Sequence, residues 1–332
     1  MSDLGRAVVL VTPRSFPDAD PEALATLDRS VGEVRLNRRG RALTSAELRE
    51  ELADVDGMIA GLDALDAAAF EAAPRLRAVA RYGTGVDRVD VEAARRAGVV
   101  VTNTPGANAD AVAELAIALM LALARSLPVA ERRARAGEWR APAGIQLAGR
   151  TVGLLGLGRI GGAVAKRARC LGCQVVAHDP AVQTEAARAQ GVEPAALDEV
   201  VERAQVLSLH VPLTPDTRDL VGRSLLERLP AGVLLVNTAR GELVVEEDLL
   251  AALESGRVAG AALDTLREEP PDPDHPLLHR EDVIVTPHIG GHTAEARAAM
   301  ARESVAELLA VLSGRRPRFP VVPEPAAGGA RP

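Results

Sequence analysis

Short runs that are apolar throughout alternate along the chain with longer, alanine-rich stretches in which apolar and charged residues share a helical period. A run that is apolar at every position, not every second one, describes a strand buried on both faces. Such strands belong to parallel sheets covered by helices. The N-terminal part offers strands near Ala7–Val11, Gly57–Ala60, Leu76–Ala80 and Val99–Thr102, with helices expected at Pro21–Asp28, Ser45–Ala53 and Val91–Ala97. The central part repeats the alternation, with strands near Thr151–Leu155, Gln174–Ala177, Val206–Leu209, Val233–Asn237, Gly260–Leu263 and Val283–Val285. Asn103-Thr-Pro-Gly106 is a turn-rich joint that leads into a long helix, Ala109–Ala124. A matching joint, Thr286-Pro-His-Ile-Gly-Gly291, precedes a helix over Ala294–Leu312.

Strand and helix alternating twice over predict an α/β protein of two doubly wound, Rossmann-like parallel-sheet domains. The last helix is expected to cross back to the first domain and make it discontinuous, with residues 1–107 and 292–322 flanking a central domain at 108–291. Residues 323–332, rich in Pro, Ala and Gly, are expected to be disordered.

Within the central pattern, Gly156-Leu-Gly158-Arg-Ile-Gly161 stands between the strand Thr151–Leu155 and a breaker-poor stretch, Ala163–Arg169. Glycines at this spacing permit a tight strand-to-helix turn, let a pyrophosphate touch backbone, and allow close packing of the helix. The phosphate charge then meets free N–H groups at the helix start. The next strand ends at His178-Asp179, about 20 residues on, where an acid accepts hydrogen bonds from a ribose bearing both hydroxyls. Asp179 would repel a 2′-phosphate, so NAD is favoured over NADP.

The chain has 332 residues, 47% of them apolar, enough for two cores of ordinary size, and its net charge of -7 argues against nucleic acid as a partner. Lys166 is the only lysine, so no basic face forms from lysine. Met1-Ser-Asp-Leu-Gly-Arg carries no apolar signal segment, and the Ala111–Ala124 stretch is too short for a membrane span, so a cytoplasmic location is expected. Cys170 and Cys173 form a C-x-x-C at the joint between helix and strand with no second ligand pair after it, which reads as packing. No metal-ligand spacing is present, and no metal is expected.

The motifs Arg81-Tyr-Gly-Thr-Gly-Val-Asp87, Asn103-Thr-Pro-Gly-Ala-Asn108, Ala113-Glu-Leu-Ala116, Gly156 to Gly161, Asn237-Thr-Ala-Arg-Gly241, Leu263-Asp264 through Glu268-Glu269-Pro270, and Thr286 to Gly291 span nearly the whole chain. In order and spacing the chain resembles the D-2-hydroxyacid dehydrogenase family, in the branch similar to D-3-phosphoglycerate dehydrogenase but without a C-terminal regulatory domain. The resemblance implies a substrate domain split around an NAD-binding domain, a cleft between them, and a homodimer. It implies cofactor contacts at Gly156, Gly158, Arg159, Ile160, Gly161, Asp179, Thr238, Asp264 and Gly290. Substrate contacts are implied at Arg81, Thr84, Gly85, Val86 and Arg240, and the catalytic set is Arg240, Glu269 and His288.

Those three types suit the chemistry. Hydride transfer to a ketone carbon leaves negative charge on oxygen, which calls for a proton donor and a fixed cation. His288 would be the acid in reduction and the base in oxidation, and an imidazole needs a carboxylate beside it to stay protonated at working pH. The resemblance implies Glu269 as that carboxylate, although by itself it sits in an acidic, Pro-rich loop that reads as a solvated face. Arg240 would fork onto the substrate carboxylate and carbonyl oxygen. The backbone at Thr84, Gly85 and Val86 would hold the other side of the carboxylate as an anion nest.

The expected reaction is NAD-dependent interconversion of a small 2-oxo acid and its D-2-hydroxy acid. Arg81 points to an anionic tail, as in 3-phosphohydroxypyruvate or phosphonopyruvate, unless it simply pairs with Asp87. Hydroxypyruvate or glyoxylate is the alternative, because Ala60-Gly61-Leu62 stands where phosphoglycerate-type members carry arginine. Formate oxidation is disfavoured by Glu269, where formate enzymes carry glutamine. An NAD-sensing corepressor-like binding protein is the alternative of another class, since that branch keeps a similar triad.

Overall fold

The computed structural model describes residues 4–322. The tail expected to be disordered, 323–332, lies outside the described residues. The described chain separates into two compact units, one formed by residues 4–108 together with 291–322, the other by Ala109–Gly290.

In the first unit, β1 (Val8–Val11), β2 (Glu33–Leu36), β3 (Gly57–Ala60), β4 (Ala78–Arg81) and β5 (Val100–Thr102) run parallel in the order β5-β4-β3-β1-β2. The strand Pro320–Val322 adds an antiparallel edge beside β5. Neither β2 nor this last strand stands out in the sequence. Edge strands need no continuous apolar run, and Glu33-Val-Arg-Leu36 carries charges on a half-exposed ribbon. The helix Ala294–Leu312, capped by Thr293 Oγ1 accepting from the Ala296 N–H (3.1 Å), buries Ala301, Val305, Leu308 and Leu312 against Val9, Val11, Ile59 and Ala78. Its approach is close at Gly57, where a Cβ would lie 3.0 Å from Leu312 Cδ1.

The second unit is a seven-stranded sheet, β6 (Thr151–Leu155), β7 (Gln174–His178), β8 (Glu193–Pro194), β9 (Val206–Leu209), β10 (Val233–Asn237), β11 (Val258–Leu263) and β12 (Val283–Val285), in the order β12-β11-β10-β9-β6-β7-β8 and parallel throughout. Order reverses between β9 and β6, the switch point where ligands bind in such sheets. Leu207, Leu209, Leu235, Val236 and Leu154 are fully buried here, each stabilising the unit by about 1.5–3 kcal/mol. The helix Ala109–Ala124 buries Ala113, Ala116, Leu119, Met120 and Ala124 in the same unit. Among the described residues no single helix is long and apolar enough to cross a membrane.

Register decides where the candidate residues fall. Leu155 pairs with both His178 and Leu209, Leu209 with Asn237, Asn237 with Leu263, and Leu263 with Val285. These strands therefore end on one level, and the residues that follow, Gly156, Asp179, His210, Thr238, Asp264 and Thr286, stand in a row along the sheet's C-terminal edge.

Candidate active site

At the switch point the three glycines are constrained differently. Gly156 has φ +98°, and a Cβ there would lie 2.6 Å from the carbonyl oxygen of His210 at the end of β9. A Cβ on Gly161 would collide with the carbonyl oxygen of Gly156, so the third glycine is required by the first and not by the strand. A Cβ on Gly158 would meet no atom within 4 Å. Gly158 is also the N-cap of the helix Arg159–Cys170, and no side chain caps it. The first-turn N–H groups thus face outward, as anion binding at a helix start needs. Asp179 Oδ2 accepts from the Leu157 N–H (2.7 Å) and Oδ1 from the Ala181 N–H (2.9 Å), which fixes the acid beside the glycine turn.

Two buried polar atoms on this edge lack protein partners among the described residues: Thr238 Oγ1 and His210 Nδ1. His210 Nε2 lies 2.9 Å from Ser208 Oγ, and burial holds the imidazole pKa down to about 4, so the ring is neutral. Orphan polar atoms, an uncapped helix start and an open second glycine fit a dinucleotide laid along the edge.

β10 ends at Asn237, whose buried amide ties the next turn: Nδ2 donates to the Arg240 carbonyl (2.7 Å) and Oδ1 accepts from the Ala239 N–H (3.0 Å). The half-buried Arg240 donates from Nη1 to the Ala239 carbonyl (2.7 Å). Gly241 follows because the Leu266–Arg267 peptide lies directly against it, where any Cβ would overlap.

β11 ends at Leu263, and Asp264, 1% exposed, organises the loop after β12. Its carboxylate accepts from Thr286 Oγ1 (2.6 Å), the Ile289 N–H (2.8 Å) and the Gly290 N–H (2.8 Å), while its carbonyl accepts from the His288 N–H (2.9 Å). These bonds hold His288 at φ +53°, a left-handed conformation uncommon outside glycine and frequent at functional sites. His288 Nδ1 lies 2.9 Å from Glu269 Oε2, and Glu269 Oε1 accepts from the Leu266 N–H (3.2 Å). The two side chains are 30% and 20% exposed, so the pair is shielded while the ring keeps an open side. A carboxylate on Nδ1 fixes the ring's orientation and leaves Nε2 to exchange a proton.

In the first unit, Arg81 is 5% exposed; Nε donates to the Gly85 carbonyl (3.1 Å) and Nη1 to the Ala60 carbonyl (3.2 Å). The Thr84 carbonyl accepts from Asn103 Nδ2 (2.7 Å) and the Gly83 carbonyl from the Thr104 N–H (3.1 Å). The carbonyls of Gly83, Thr84 and Gly85 are thus satisfied within the unit.

The structure brings His288 and Glu269 together, and sets Asp264 beneath His288 as the anchor of its loop. Sequence reasoning missed Asn237 and Leu266 as supports, because each acts through contacts that no local pattern announces. The cysteines are free thiols; Cys173 is buried, with Sγ donating to the Leu147 carbonyl (3.3 Å) and its pKa raised by burial.

A family model described as the NAD binding domain of D-isomer specific 2-hydroxyacid dehydrogenases matches residues 117–290. D-3-phosphoglycerate dehydrogenase of Archaeoglobus fulgidus is 45% identical over 235 residues, covering 70% of this chain and 45% of its own length. Glyoxylate reductase of Korarchaeum cryptofilum is 40% identical over 275 residues, 81% of this chain and 83% of that protein. The chain spans about half the length of the phosphoglycerate dehydrogenases first matched, 45% and 54%. Among solved structures, the TT0316 protein of Thermus thermophilus superposes with a TM-score of 0.86 at 41% identity, over 95% of this chain and 100% of that one.

Proposed function

The chain belongs to the D-isomer specific 2-hydroxyacid dehydrogenases, and from that premise we propose that it interconverts a small 2-oxo acid and its D-2-hydroxy acid through Arg240, Glu269 and His288. The His288–Glu269 pair, 2.9 Å apart at a strand end of the NAD-binding unit, carries the reading. NAD(H), when bound, takes or supplies the hydride. In reduction His288 gives a proton from Nε2 to the substrate carbonyl oxygen as that oxygen gains charge, and Glu269 holds the imidazolium in place. Arg240 engages the substrate carboxylate and carbonyl oxygen, and the N–H edge of Thr84, Gly85 and Val86 the other side of the carboxylate. Glycines 156, 158 and 161, with Arg159 and Ile160 at the helix start, hold the pyrophosphate. Asp179 holds the ribose, and Thr238, Asp264 and Gly290 line the nicotinamide end.

For the substrate tail, the placement of Arg81 favours a short uncharged group over a phosphate or phosphonate. Its guanidinium is buried on backbone carbonyls of its own unit. Hydroxypyruvate and glyoxylate are therefore preferred to 3-phosphohydroxypyruvate. NADH consumption measured with each acid separately tests the reading; faster turnover of the phosphorylated acid would reverse the preference. Arg81→Met is expected to lower kcat/KM for phosphorylated and unphosphorylated acids in the same proportion. A loss confined to the phosphorylated acid would restore the tail-anchor role.

Asp179→Ser removes a carboxylate whose charge-assisted hydrogen bond to a ribose hydroxyl is worth about 1.5–3 kcal/mol. The NADH/NADPH ratio of kcat/KM should fall by about tenfold or more, and an unchanged ratio means the ribose is held elsewhere. The reading includes a cytoplasmic homodimer in which a second copy covers Trp139, 93% exposed, and Leu127, 58% exposed. Failure to turn over any 2-oxo acid while NADH binds would point to a binding protein instead.

A further inference from the structure

The proposed chemistry depends on Glu269 standing behind His288, and a side chain outside that pair governs where Glu269 stands. Glu269 rides on the loop that leaves β11 and runs to the short helix Pro276–His279. Glu246, the first residue of the helix Glu246–Glu254, sends both carboxylate oxygens to that loop. Oε1 accepts from the Arg267 N–H (2.9 Å), and Oε2 meets His275 Nε2 (3.3 Å). His275 Nδ1 accepts from the Leu277 N–H (3.4 Å), so the ring proton sits on Nε2 and is directed at Glu246. The carboxylate thus grips the loop on both sides of Glu269. The Glu246 and His275 side chains are 16% and 23% exposed, shielded enough for the grip to be more than a screened surface pair.

What is gripped matters most. Leu266 donates its N–H to Glu269 Oε1 (3.2 Å), and the peptide it shares with Arg267 lies against Gly241, the neighbour of Arg240. That peptide's N–H is the one Glu246 holds. We propose that Glu246 is a positioning residue that, through the Arg267 N–H and His275, fixes the Leu266–Arg267 segment and so sets Glu269 against His288 and beside the Arg240 turn. The loop does not depend on this grip to stay folded. Arg267 Nε also donates to the Val244 carbonyl (2.7 Å), its guanidinium pairs with Asp219, and His279 Nε2 contacts the Pro273 carbonyl (2.9 Å). Loss of Glu246 should therefore misplace Glu269 and leave the fold standing.

The test compares Glu246→Ala, Glu246→Gln and His275→Ala with Glu269→Ala, reading kcat, KM, NADH binding by fluorescence, melting temperature and the pH profile of reduction. Glu246→Ala is expected to lower kcat by about tenfold or more, as small misplacements of catalytic groups do, with NADH binding kept. The pH midpoint of reduction should move as well, because Glu269 no longer stands against His288 Nδ1. Glu246→Gln keeps an oxygen for the Arg267 N–H and should recover most of the rate and the original pH midpoint; His275→Ala should move both in the Glu246→Ala direction by less. If Glu269→Ala abolishes turnover while Glu246→Ala leaves the pH midpoint in place, or Glu246→Gln does no better than alanine, the positioning role is wrong and the proposed function stands. If Glu269→Ala itself leaves rate and profile intact, the proposed function fails along with it.

Discussion

Replacing His288 with asparagine is expected to cut kcat for 2-oxo acid reduction by about 10²–10⁴-fold, the range positioned proton transfer supplies, while NADH binding holds. Asparagine suits the test better than alanine. His288 sits at φ +53°, a conformation that costs most side chains about 1–2 kcal/mol and that asparagine adopts readily. His288→Asn therefore removes the proton carrier and keeps the backbone that the Asp264 carbonyl holds. In the proposed reading dinucleotide affinity rests on the glycine turn after β6 and on Asp179 after β7, with three strands lying between β6 and β12 in the sheet order, so NADH fluorescence titration should give an unchanged Kd. A fall confined to kcat and kcat/KM marks a group that acts in the transition state. Turnover within a few-fold of the parent would remove His288 from the chemistry, and equal loss of NADH binding would recast it as a structural residue.

The parts of this architecture that were legible in the sequence were those with a periodic or covalent signature. The central strands of both sheets are apolar throughout because both faces are buried, and the glycine turn announces itself because only glycine fits where His210 and Gly156 present carbonyls. Edge strands carry no such mark: Glu33–Leu36 alternates charge with apolar residues, and Glu193–Pro194 is too short to show a pattern. Within the candidate site, residue type and order nominated His288, Glu269 and Arg240, of which the structure brings His288 and Glu269 together, whereas the contacts that support them were hidden. Glu246 reads as one acid among three at a helix start, and its grip on the Arg267 N–H exists only once the strand β11 has carried that loop back beside the helix. Arg81 shows the converse. A lone arginine before a glycine-rich loop suggests an anion, and only the fold reveals that its donors meet Gly85 and Ala60 carbonyls. Sequence states which groups a site contains; which way a long side chain turns is decided by packing.

The glycine turn makes the second large prediction, and its members separate folding from binding. Gly161→Ala places a methyl group onto the carbonyl oxygen of Gly156 and 3.0 Å from its carbonyl carbon. Both are backbone, and Gly156 is itself pressed on the end of β9, so no flexible side chain can yield. Either the turn opens or the helix Arg159–Cys170 lifts, and each displaces the first-turn N–H groups from the pyrophosphate. Overpacking of this kind costs about 1–3 kcal/mol, or several degrees of melting temperature for a unit this size. NADH binding should weaken by about a hundredfold or more, since two or more charge-assisted bonds to phosphate are lost together. Gly158→Ala is the control, because its Cβ meets no protein atom within 4 Å. Its melting temperature without cofactor should stay at the parent value while NADH affinity falls, as the methyl occupies the approach of the pyrophosphate to the backbone. Thermal scans with and without NADH distinguish the two. If Gly158→Ala binds NADH as tightly as the parent, the pyrophosphate does not lie on this turn, and the dinucleotide assignment of the edge must be redrawn.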